Sequence, residues 1–199
     1  AVMFSKRIIM KQNEFILNRG GSSYGLLLKE ISDGSLSGNI FRDNTIGIYA
    51  EGANRLQIIH NDFVSNGKAL DIKGNCLDNR IDSNNFVANT FEVFTNSKQN
   101  QNSYSANYWS QYDGYDLDRN GIGDLEYRPV NLFAMVTDKV PAAAFFLHSL
   151  LMRILELIEK LFPQMVPATL TDKEPKIKPY LHDTGTAAFQ EIREATGNQ

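Results

Sequence analysis

The chain has 199 residues, 42% of them hydrophobic, and its 20 Lys and Arg against 23 Asp and Glu leave a net charge of −3. That length can bury a sizeable core in one or two domains, and the slightly acidic balance lacks the basic footprint of a nucleic-acid binder. The single cysteine, Cys76, excludes an internal disulfide framework.

From residue 13 onward one pattern returns. Asn13, Phe15 and Asn18 recur as Asn39, Phe41 and Asn44, as Asn61, Phe63 and Asn66, and as Asn84, Phe86 and Asn89. A fifth copy, Asn107, Trp109 and Tyr112, keeps the frame with Trp for Phe and Tyr for the trailing Asn. The leading Asn recurs after 26, 22, 23 and 23 residues. A period in the low twenties marks a stacked repeat, in which each unit buries its apolar face against its neighbours. The leucine spacing of a leucine-rich repeat is missing. Short alternating segments at 47–51, 55–60, 69–73 and 91–95, bounded by Asn, Gly, Asp and Ser, read instead as strands and turns. The prediction is a right-handed parallel β-helix of about five coils, spaced about 4.8 Å apart. Its Phe residues should stack inside, and the Asn that precedes each Phe should bond to backbone in its own and the adjacent coil as a ladder.

The N-terminus carries no charged start followed by an apolar core, so no export signal is visible. A β-helix beginning there would present a bare sheet edge. The chain is therefore expected to be the C-terminal part of a longer protein, with further coils and any targeting signal upstream.

On the outside, Lys29, Glu51 and Lys73 should form one column, and Leu27, Tyr49, Asp71 and Glu92 another, together making a solvated face. Asp43, Asp62, Asp71 and Asp82 fall at different phases of the coil. A polysaccharide-cleaving β-helix would need such carboxylates gathered in one groove, so the expectation is no enzyme. The repeat stops after Asn107, where Tyr104, Tyr108, Trp109, Tyr112 and Tyr115 crowd together as a cap for the open end of the apolar stack. Within the cap, Asp116, Asp118, Asn120, Ile122 and Asp124 match the first half of a calcium loop, with Gly121 at the turn position. The twelfth position, where a bidentate Glu is needed, is Tyr127. The competing reading is an Asp/Asn/Gly turn held by its own side chains.

Residues 1–130 are thus read as coils and cap, and residues 131–199 as a helical, proline-rich arm. Pro141 opens and Pro163 closes a predicted helix over 141–162. Leu147, Leu150, Leu151, Ile154, Leu155, Ile158, Leu161 and Phe162 cover all but one face of it, a broader apolar arc than packing on a β-helix flank needs. Four charges in its C-terminal half argue against a membrane span. Packing on the chain's own solenoid, docking into a partner and lying in a membrane interface remain open. Beyond Pro163 the sequence reads as an extended polar linker, ending in a short candidate helix over 186–195.

The run from Asn107 through Trp109, Asp116, Asp118, Asn120, Gly121 and Asp124 to Val130, followed by the Leu-rich helix and the prolines, resembles the C-terminal part of the NosD family. The resemblance covers roughly residues 10–180 and departs in length, since family members carry more coils upstream. It implies a periplasmic accessory protein of nitrous-oxide reductase maturation, membrane-associated through an ABC-type transporter whose permease engages the C-terminal helix. It also implies copper passing from a copper chaperone toward the reductase. Cu(I) prefers Met and Cys and also takes His. The available candidates include Met3, Met10, His60 and Cys76, and His148 and Met152, four apart on the predicted helix, are the one pair able to share a face. The resulting expectation is a non-catalytic scaffold, with a carbohydrate-active or surface-binding β-helix as the alternative.

Overall fold

Each repeat folds into one coil of three short strands. The computed structural model describes residues 1–96, 101–130 and 170–181, together with Ile154 and Leu157. The first coil contains β1 (Val2–Lys6), β2 (Ile9–Lys11) and β3 (Glu14–Ile16), and the second β4 (Tyr24–Ser32), β5 (Ser35–Ser37) and β6 (Ile40–Arg42). The third contains β7 (Ile46–Glu51), β8 (Gln57–Ile59) and β9 (Asp62–Val64), and the fourth β10 (Lys68–Ile72), β11 (Arg80–Asp82) and β12 (Asn85–Val87). The fifth contains β13 (Phe91–Phe94), β14 (Ser103–Ser105) and β15 (Tyr108–Trp109). Equivalent strands pair in parallel into three five-stranded sheets, ordered β1-β4-β7-β10-β13, β2-β5-β8-β11-β14 and β3-β6-β9-β12-β15. This is the expected parallel β-helix of about five coils.

The strands are short because every coil turns at the same left-handed corners. The residue before each leading Asn has positive φ: Gln12 at 56°, Gly38 at 63°, His60 at 54°, Ser83 at 56° and Ala106 at 54°. Only one of the five is glycine. For the others that conformation costs about 1–2 kcal/mol each, and the asparagine that follows supplies the compensation. The main-chain N–H and the Nδ2 of Asn39 both donate to Oδ1 of Asn61, at 2.9 Å. Asn61 does the same to Asn84, and Asn84 to Asn107, at 2.9–3.0 Å. Each Nδ2 also reaches back to a carbonyl of the preceding coil, as Asn61 does to Leu36. A second ladder runs through Asn18, Asn44, Asn66 and Asn89. Asn79 and Asn102 form a third, which the sequence reading missed.

Inside, the aromatic rings stack as expected. Phe15, Phe41, Phe63 and Phe86 lie 4.8–4.9 Å apart with planes within 8° of parallel, and Trp109 closes the column 4.2 Å above Phe86. Leu26, Ile48, Leu70 and Val93 sit in paired register beside them and are buried.

The outer face of the first sheet departs from expectation at one column. Lys29 pairs with Glu51 in register and in charge, at 3.3 Å. Leu27, Tyr49 and Asp71 align, but the next position up is Phe94, not Glu92. Glu92 lies level with Ala69, between the pairs Lys68–Phe91 and Leu70–Val93. Ala69 belongs to the buried core, and a side chain on the equivalent Gly47 would meet Ala69's carbonyl at 2.6 Å and the Phe63 ring at 3.4 Å. Simple alternation fails there, with Ala69, Leu70, Asp71 and Ile72 buried in succession on β10 and Phe91 to Phe94 on β13, so Glu92 is buried. Nor is Asp71 solvated: it is buried between Lys68 at 3.2 Å and Lys73 at 2.8 Å.

Candidate docking end and cation loop

The chemistry-bearing side chains gather at the end formed by the fifth coil. Above Trp109 lies Tyr127, its ring centroid 5.3 Å away, and Tyr112 meets Tyr127 edge-on at 5.7 Å. These rings cover the apolar stack; of the rings the sequence offered for a cap, Trp109 and Tyr112 take part and Tyr115 is exposed, while Tyr127, outside that group, lies over Trp109. Tyr127 also donates its hydroxyl to Glu92 Oε2 at 2.5 Å. Glu92 is 3% exposed, and its other oxygen, Oε1, is buried without a hydrogen bond. Burial pushes this carboxyl up to about 8, against the opposing pull of the Tyr127 hydroxyl and the Gln111 amide.

The loop from Asp116 to Asp124 closes on its own amides. Asp116 accepts from Asn120 N through Oδ1 and from Gly121 N through Oδ2, at 3.1 and 2.9 Å. Asp118 accepts from Asn120 N and Nδ2, and Asn120 Oδ1 accepts from Ile122 N at 2.7 Å. Asp124 Oδ2 accepts from Leu117 N at 2.7 Å. Gly121, at φ 83°, makes the sharp turn. Desolvation raises Asp116, but the hydrogen bonds from Gly121, Asp118, Asn120 and Arg119 together outweigh it and hold the carboxyl below its ordinary range. Tyr127, in the position a bidentate Glu would take, spends its hydroxyl on Glu92. Among the described residues, no three His, Cys, Asp or Glu converge into a metal-ligating group.

The residue that sequence reasoning missed altogether is Asp172. Residues 170–181, expected as part of a linker, lie along the top of the fifth coil. Asp172 pairs in parallel with Tyr104 and Lys176 with Tyr108, while on their other side they pair antiparallel with Tyr127 and Ile122. The fully buried Asp172 carboxylate ends the asparagine ladder. Its Oδ2 accepts from Asn107 N, Asn107 Nδ2 and Trp109 Nε1, each at 3.0 Å. Its Oδ1 accepts from Ala106 N at 3.2 Å and Glu174 N at 3.0 Å. Farther along, Asn85 and the main chain of Tyr180 exchange two hydrogen bonds, at 2.9 and 2.8 Å. One acidic residue, 65 positions beyond Asn107 and outside any period, leaves no sequence signal of this role.

The four aspartates weighed as a groove lie apart. Asp62 sits on β9, Asp71 on β10 and Asp82 on β11, one on each sheet, and Asp43 follows β6. Asp43 pairs with Arg19 and Asp82 with Arg80, while Asp62 accepts from Asn85. Of the copper candidates, Met3 and Met10 lie on β1 and β2 in different sheets, and His60 stands at a corner. Cys76 is buried, donating to Ala50 O at 3.3 Å, and burial pushes its thiol up, away from the thiolate that binds metal. His148, Met152, Leu147, Leu150, Leu151, Leu155, Ile158, Leu161 and Phe162 lie outside the described residues, whereas Ile154 is described and exposed.

Coils, ladder and cap together define a parallel β-helix repeat protein closed at one end. The family profile for periplasmic copper-binding protein (NosD) matches residues 1–114, more than half of the sequence, and the chain belongs to the NosD family. A probable ABC transporter binding protein NosD of Stutzerimonas stutzeri is 24% identical over 196 residues, covering 89% of this chain and 44% of the relative. A protein of the same description from Pseudomonas aeruginosa is 26% identical over 175 residues, covering 78% of this chain and 40% of the relative. The chain therefore spans less than half the length of these curated relatives.

Proposed function

We propose that the chain is part of a non-catalytic periplasmic scaffold that serves an ABC-type transporter in supplying copper to nitrous-oxide reductase. The observation that carries this reading is the match of the coils to a family described as periplasmic copper-binding. The two relatives named as probable ABC transporter binding proteins support the transporter as partner and a binding role rather than an enzymatic one. A rod whose asparagines and aromatics are consumed in holding its coils together suits presentation of a fixed surface. Copper prefers Met, Cys and neutral His, and among the described residues Met3, Met10, His60 and Cys76 stand on different strands and corners. We therefore assign it to an interface with the copper chaperone or the reductase, with His148 and Met152 as this chain's candidates. The helix over 141–162 docks on the permease through Leu150, Leu151, Ile154, Leu155 and Ile158.

The test is a pull-down of the full-length protein from solubilised membranes, with copper measured in the recovered complex. Deleting the whole arm would also remove Asp172 and uncap the solenoid, so Leu151→Glu with Leu155→Glu is the cleaner variant. Loss of the permease with retained coil structure is expected. Undiminished recovery of the permease would overturn the docking role, and a copper-free complex the copper role.

A further inference from the structure

The asparagine ladder has a direction, and its end has a chemistry. Each leading Asn donates two N–H groups toward the next coil and accepts two from the coil before it. At Asn107 the coils stop, and four donors of the fifth coil remain aimed at one place: Ala106 N, Asn107 N, Asn107 Nδ2 and Trp109 Nε1. A next-coil Asn would answer with one oxygen and then offer an amide of its own. Asp172 answers with two oxygens and no donor, which is what an end needs. An Asn there would set its NH2 group against the N–H of Ala106 and Glu174, or against the other three donors. The receptor belongs to the coil, since Asn107 is itself held by its bond to Ile81 O and Trp109 by stacking on Phe86.

What fills the receptor is a strand-like segment that behaves as a surrogate sixth coil. Its remaining contacts divide between main-chain pairings, Asp172 with Tyr127, Lys176 N with Asn107 O and Gly123 N with Pro175 O, and a few side chains, Leu170 in the core and Tyr180 against Asn85 and Ala106. Such pairing tolerates varied sequence and leaves specificity to a few side chains, as in strand addition to a sheet edge. The segment reaches the receptor across the 39 residues that separate Val130 from Leu170. Its docking is thus an intramolecular binding event, favoured by a high effective concentration rather than by continuity of the coil.

We propose that the top of the solenoid is a carboxylate-specific peptide site, held in cis by residues 170–181 and exchangeable with an aspartate-bearing extended segment of a partner protein. The Asp172 side chain is the recognition element, and the pairing with Tyr104, Tyr108 and Tyr127 sets the register. This site is independent of the copper reading and stands or falls separately.

The experiment uses the full chain and a labelled synthetic peptide of residues 168–181. Wild-type chain, its site occupied in cis, is expected to bind the peptide poorly. The Asp172→Asn chain should bind it at least tenfold more tightly, and the same peptide carrying Asn at 172 should lose at least tenfold. A second arm covers failure of that variant to fold. The wild-type chain, cut at a protease site inserted between Thr137 and Asp138, should exchange its own segment for labelled peptide. Equal binding of the Asp and Asn peptides would overturn the carboxylate receptor. Absence of exchange from the cut chain, with the Asn107 amide protected from hydrogen exchange throughout, would make the segment a permanent part of the fold and overturn exchangeability.

Discussion

Replacing Glu92 by Gln isolates a carboxyl that the fold buries against its electrostatic interest. The native side chain lies beneath the cap, with Tyr127 as hydrogen-bond donor, and keeps its proton up to about pH 8 against an ordinary value of 4.5. In the unfolded chain it is ionised above its ordinary value, so between about pH 4.5 and 8 the native state holds one more proton. Stability from this group is therefore fully present below the lower value and falls as pH rises, levelling off above the upper one. A difference of about 3.5 pKa units corresponds to about 5 kcal/mol, an upper figure since water reaching the cap would relieve it. Gln fits the same space, accepts from Tyr127 and cannot ionise. The variant should match the wild type within about 1 kcal/mol near pH 5 and exceed it by several kcal/mol at pH 8.5. Trp109, the only tryptophan, packs against Tyr127 at a tilt of 40° and reports the cap directly through its fluorescence. Urea unfolding followed at Trp109 from pH 5 to 8.5 gives the difference as a function of pH. A constant difference across that range would refute the account of Glu92 as a protonated, buried acid.

Further outcomes follow from the ladder, the stack and the loop. Phe63→Ala removes the central ring of the column and should cost about 3–5 kcal/mol in urea unfolding; a loss under 1 kcal/mol would mean the stack is not the core. Asn61→Asp keeps the shape but faces oxygens toward Leu36 O and Asn84 Oδ1, so it should destabilise more than Asn61→Ala by thermal melting. Arg55→Ala breaks an ion pair with Asp33 at 2.6 Å whose side chains are 56% and 44% exposed, and its melting temperature should be unchanged. Calcium titration monitored by calorimetry should saturate only in the millimolar range, because Tyr127 replaces the bidentate carboxylate. Micromolar affinity would show that the loop opens from its self-bonded form.

What the sequence disclosed and what it hid follow from the same physics. Asn and Phe recur because every coil repeats one corner and one interior, so Asn61 and Phe63 announce their neighbours at a fixed interval. The trailing Asn66 and Asn89 recur at the same interval, and the structure makes of them a second ladder. Asn79 and Asn102 were not legible in this way, since the equivalent position in the coil before is Leu56, so the series is only two members long. Glu92 was misplaced by assuming strict alternation through strands whose residues are buried in succession, Ala69 to Ile72 on β10 and Phe91 to Phe94 on β13. Gly47 was the available clue, because a glycine inside a strand marks a close approach of another backbone. Asp172 was invisible for a different reason. An end occurs once, so it has no period, and a segment with Pro175 and Pro179 carries the composition of a linker whether it is free or docked.

That last contrast bears on how a solenoid can act at all. A coil in the middle, such as the third, has its edge groups consumed by the coils on either side, so partners meet only side chains there. At the fifth coil the edge strands β14 and β15 and the donors around Asn107 have no further coil, and nothing in the repeat itself supplies an answer. The chain answers with a single carboxylate, Asp172, carried by residues 170–181. Order at the cap is therefore tied to the docking of that segment, because release of Asp172 would leave the donors of Ala106, Asn107 and Trp109 without these partners and would free the main chain at Asn107 that Lys176 pairs with.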